Sequence, residues 1–162
     1  MKLAQFVLLM AAAILTLPAV AQTKPTAKPT SSDMQILAQK VKADKKLVVA
    51  ANMQLTEAEA KAFWPVYEAY QKDLGQLNER IAKAVVSYAE AYNKGPVSDA
   101  TAKKLISEAI AIEEAEVKLK RSYLPRLEKA VPGMKVARYL QIESKIRAII
   151  RYELATNIPL VE

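Results

Sequence analysis

Between residues 56 and 93 the side chains of Ala60, Phe63, Tyr67, Tyr70, Leu74, Leu77, Ile81, Ala84, Tyr88 and Ala91 return at steps of three and four without a break. That is the seam of a long helix packed lengthwise on another. Thr56 and Glu59 form a capping box ahead of it: the Thr56 hydroxyl can accept from the Glu59 amide while the Glu59 carboxylate reaches back to the Thr56 amide. Asn93-Lys94-Gly95-Pro96 stops it. Ser98 caps a further helix from Asp99 to about Val131, with a broad apolar stripe of Leu105, Ile106, Ala109, Ile112, Val117, Leu119, Tyr123, Leu124 and Leu127. The short turn between the two predicts an antiparallel hairpin.

The same periodicity brackets the hairpin. Ser32 or Asp33 can cap a first helix from about Met34 to Asn52, with Ile36, Leu37, Val41, Leu47, Val48 and Ala51 at helical spacing. After Val131-Pro132-Gly133 a last helix runs from Met134 to about Thr156, burying Val136, Tyr139, Leu140, Ile146, Ile150 and Leu154, and Asn157-Ile158-Pro159 closes it. A straight helix from Glu57 to Asn93 would be about 55 Å long at ~1.5 Å per residue, too long for a near-spherical domain of this size. Pro65 and Pro125 each remove one hydrogen bond and clash with the preceding turn, so each should bend its helix. The pattern therefore predicts an all-α fold: an elongated, curved layer of about four helices with a long antiparallel hairpin, bent at Pro65 and Pro125.

Upstream the pattern changes. MKLAQFVLLMAAAILTLPAVAQ combines Lys2, an apolar run from Phe6 to Leu17, and Ala19-Val20-Ala21 before Gln22, the layout of a secretory signal peptide cleaved after Ala21. The run is shorter than the ~20 residues a spanning helix needs; a retained N-terminal anchor is the alternative. Residues 22–31, with Pro25 and Pro29 and almost nothing apolar, should form a disordered leader. Residues 32–162 then make a single helical domain, and a periplasmic location follows.

Composition narrows the chemistry. The chain has no cysteine and no histidine, so it has no disulfide, no thiolate nucleophile, no imidazole base and none of the usual zinc, copper or nickel ligands. No glycine-rich phosphate loop, GxSxG elbow or SxxK pair occurs, and Glu113-Glu114-Glu116 reads as a solvated acidic face. The expectation is a protein that is not an enzyme and needs no cofactor or metal. The net charge of +7, one unit of which is Lys2, would favour anionic neighbours; for an exported protein those are lipid head groups, lipopolysaccharide or acidic stretches of other proteins, with no nucleic acid expected.

A few positions stand out from the pattern. Glu143 falls in the middle of the apolar face of the last helix, where an unpaired carboxylate would be costly, so it should form an ion pair with Arg147 or with Arg126 of the neighbouring helix. Trp64 lies off the seam beside the bend and could sit on the concave face or in a subunit contact. Lys40, Lys42, Lys45 and Lys46 read as a solvated face, with binding to an anionic surface as the alternative.

A signal peptide, a polar leader, the capped start Leu55-Thr56-Glu57-Ala58-Glu59, a long helical hairpin, and a second helix start preceded by L-x-x-x-V-P (Leu127 to Pro132) resemble the Spy and CpxP group of periplasmic helical proteins. Glu59 stands where that group has Gln. The resemblance implies a cradle-shaped helical dimer that binds unfolded or stressed exported proteins without ATP. Two other classes are open: a non-enzymatic structural or adaptor protein of the envelope stress response with one defined partner, and peripheral association with anionic membrane surfaces through the basic first helix.

Overall fold

The computed structural model describes residues 44–161. The expected signal peptide and leader, the expected start of the first helix at Met34, and Lys40 and Lys42 all lie outside the described residues. Within them are four helices and no strand: α1 (44–53), α2 (Glu57–Tyr92), α3 (Asp99–Ala130) and α4 (Gly133–Asn157). The capping box at Thr56 is formed in both directions, with the Thr56 hydroxyl accepting from the Glu59 amide at 3.3 Å and the Glu59 carboxylate accepting from the Thr56 amide at 2.7 Å. Ser98 caps α3 in the same way through the Thr101 amide. Gly95 takes φ 126° in the hairpin turn, a conformation that favours glycine.

Helices α2 and α3 pack antiparallel along their length: the Tyr123 hydroxyl donates to Asp73 at 2.6 Å, and further along Arg80 pairs with Glu108 at 3.1 Å. At 36 residues, α2 is about 54 Å long. Both helices run through their prolines without interruption, and Pro65 and Pro125 are exposed at the same end of the hairpin. Helix α4 runs back along α3 and parallel to α2, from Tyr139 against Phe63 and Tyr67 to the Pro159 carbonyl, which accepts from the Tyr88 hydroxyl at 2.9 Å.

The core is built of tyrosines. Phe63, Tyr67, Tyr70, Tyr123 and Tyr139 meet mostly edge to face at 5.1–6.0 Å between ring centres, the arrangement that ring quadrupoles favour. Val49 and Met53 of α1, with Leu127, Val131 and Val136, close the cluster. Burying each such apolar side chain fully contributes roughly 1.5–3 kcal/mol.

The α3 stripe is narrower than its sequence suggests. Ile106 and Val117 are 62% and 51% exposed, and Ile150 on α4 is 44% exposed. The neighbouring helices cover one line of α3 and leave the flanking positions to water. On α3 that line is Ile112, Glu116, Tyr123 and Leu127.

Candidate binding surface

Helix α1 lies antiparallel to α2 and bridges it to α4. Its Lys45 ammonium donates to Glu143 on α4 at 2.7 Å and to the side-chain oxygen of Gln71 on α2 at 2.9 Å. The amide of Gln71 in turn donates to the second Glu143 oxygen at 2.8 Å and to the Tyr139 hydroxyl at 3.2 Å. Glu143 is therefore a structural ion-pair residue as the periodicity predicts, but its cation is Lys45, and neither Arg147 nor Arg126 pairs with it. Arg147 turns to Glu116, and Arg126 lies over the Tyr123 ring at 4.7 Å. The reason is register: Lys45 sits one turn before Val49, so the contact that buries Val49 also carries Lys45 into the core.

This changes the reading of the basic first helix. Lys45 is only 17% exposed, and burial lowers its pKa against the opposing pull of Glu143. Lys46 pairs with Glu68 and stands over the Trp64 ring at 5.1 Å. Neither is a free surface cation. Trp64 is half-buried under α1, edge-on to Phe63 and Tyr67 at 5.2 and 5.3 Å, rather than on an open concave face. The turn after α1 is held as well. Gln54 adopts φ 49°, and Lys135 of α4 donates to its carbonyl while Arg138 reaches its side chain. Lys135 also binds Glu59, whose carboxyl it holds below the ordinary value, with the Thr56 amide assisting.

Glu116 is a second buried carboxylate, and it corrects the reading of Glu113-Glu114-Glu116 as one solvated face. Glu113 and Glu114 are exposed, whereas Glu116 lies inward with Lys120 at 2.7 Å, Arg151 at 3.0 Å and Arg147 at 3.2 Å. Burial raises its pKa, but the Lys120 hydrogen bond and the three positive charges outweigh it, and the net shift is downward. The spacing Ile112, Glu116, Leu119, Tyr123 placed this carboxylate on the α3 seam, and that was the available signal.

Beyond Glu116 the three long helices part. Ile81 and Val85 of α2, Ala109 and Ile112 of α3, and Ile150 and Leu154 of α4 line an open, mainly apolar groove of about 410 Å³, with Asn78, Glu113, Arg151 and Glu153 among its polar edges. Exposed Ile106, Ile110, Val86 and Ile149 lie on the same halves of these helices. Among the described residues no group of three or more acidic side chains could hold a metal ion, and no helix is long and apolar enough to cross a membrane. No family model matches the chain, and no curated protein and no solved structure matches it either.

Proposed function

We propose that the protein is an exported helical binder that holds unfolded or stressed polypeptides without ATP, as its resemblance to the Spy and CpxP group implies. The observation that carries this reading is the apolar groove between α2, α3 and α4. A folded chain that keeps isoleucines in an open groove maintains a surface that is unfavourable in water and favourable against another apolar chain. Its charged edges, within a chain of net charge +7, add long-range attraction that is reversible and lacks strict sequence preference. Exposed prolines at one end of the hairpin fit an arched layer, and a homodimer would double the available surface.

Suppression of aggregation of several unrelated unfolded proteins at near-stoichiometric ratios tests the reading. The wild-type chain should protect most of them, and Ile150→Glu, which places a charge in the groove at an already exposed position, should protect them poorly while remaining folded. Protection of none, with capture of one defined partner, would favour the adaptor class. Salt-released co-sedimentation with anionic vesicles would favour the membrane surface.

A further inference from the structure

Two lines of residues show where the groove comes from. On α2, Trp64, Glu68 and Gln71 face α1, and steps of three and four along the same line lead through Gly75 to Asn78 and Ala82. On α4, Tyr139 and Glu143 lead likewise to Arg147, Ile150 and Leu154. Asn78, Ala82, Ile150 and Leu154 line the groove, so the place where α1 rests and the open groove are two halves of one trough between α2 and α4. Gly75, at the join, puts no side chain between the two halves, and a Cβ there would meet nothing within 4 Å. One half of the trough holds an amphipathic helix that offers Val49 and Met53 to the aromatic core and Lys45 and Lys46 to Glu143 and Glu68.

We propose that this trough is a site for cationic amphipathic helices, that α1 is its resident occupant, and that a client helix takes α1's place. The proposal deepens the preceding reading by naming the client chemistry. Continuity with the α1 contact gives the shape of the occupant. Charge gives its sign: once α1 leaves, buried Glu143 loses its lysine, and a buried carboxylate without a cation is costly, so the incoming helix must bring Lys or Arg; exposed Glu68 adds a second, weaker anionic contact. Only two of α1's described residues are fully buried apolar groups, and the polar bonds of Lys45 and Lys46 are ones an equivalent helix can re-form.

Trp64, the only tryptophan, reports the exchange because it lies beneath Lys46. The full chain is titrated with a Leu/Lys amphipathic model peptide and with its Leu/Glu counterpart. The Lys peptide should shift the Trp64 emission saturably, and the Glu peptide should bind at least about ten-fold more weakly. Because the chain has no cysteine of its own, Lys46→Cys with Glu68→Cys places the only two thiols at exposed positions, and a short bis-maleimide then ties α1 down. The tie should abolish the shift seen in the untied double variant, which keeps Glu143 and should bind the Lys peptide more weakly than wild type for want of Glu68. A shift that survives the tie, equal affinity for both peptides, or no shift at saturating peptide overturns the proposal. A normal peptide response in a protein that protects no client would instead remove the chaperone reading and leave the helix site standing.

Discussion

Glu116→Gln isolates the cost of a buried carboxylate whose three cations differ in their access to water. The substitution keeps the shape of the side chain and removes its charge, leaving Lys120, Arg147 and Arg151 around a neutral amide. Lys120 is 33% and Arg151 55% exposed, so both can turn outward and recover hydration; Arg147, at 14%, cannot. Breaking a fully buried pair from one side costs about 3–5 kcal/mol, and a hydrogen bond to a charged group contributes about 1.5–3. With one water-excluded bond out of three, the expected loss is about 2 kcal/mol, or roughly 8 °C in Tm for a domain of this size. Urea unfolding followed by far-UV circular dichroism at neutral pH measures it, with Glu113→Gln as an exposed control that should move by less than about 0.5 kcal/mol. The pH dependence carries a second check. The folded-state pKa of Glu116 lies below the ordinary 4.5, so its contribution is full above that value and is lost as pH falls through the depressed folded value. Wild type and Glu116→Gln should therefore converge in acid. A neutral-pH difference under about 0.5 kcal/mol, or a gap that persists unchanged in acid, would refute the assignment of Glu116 as a buried, ionised hub.

The link between α1 and α4 is open to a double-mutant cycle. Lys45→Met and Glu143→Leu should each lower Tm by several degrees, since the first leaves buried Glu143 and the second mostly buried Lys45 without its counter-charge. Lys45→Met combined with Glu143→Leu should recover much of the loss, and additive losses in urea unfolding would mean the pair is not coupled. Thr56→Ala should cost about 1 kcal/mol, through the lost cap of α2, in the same measurement. A change below a few tenths would mean that Lys135 and Glu59 fix the helix start without the hydroxyl.

What the sequence disclosed and what it concealed divide along one physical line. The capping box at Thr56, the Ser98 cap, the Gly95 turn and the hairpin itself are set by residues within a few positions of one another, so spacing and turn chemistry suffice to place them. The partner of Glu143 is 98 residues away, and nothing in the period of either helix says whether Lys45 or Arg147 will stand opposite it. Only the packing of Val49 and Met53 into the buried aromatic cluster fixes that register. The α3 stripe shows a similar limit: Ile106 and Val117 stand one residue past the seam positions Leu105 and Glu116, about 100° round the helix, and only the placement of the neighbouring helices decides that this flank faces water. Glu116 was legible in position and not in meaning: a carboxylate on a seam can mark a register error or a buried cation cluster, and only the arrival of Arg147 and Arg151 from α4 decides between them. Both buried carboxylates sit where a third helix meets the hairpin, so charge selects how α1 and α4 are seated while apolar periodicity selects the hairpin. A fold divided in this way can release α1 at a cost of polar bonds and two buried apolar side chains, whereas α4 stays anchored in the core by Tyr139 and Val136.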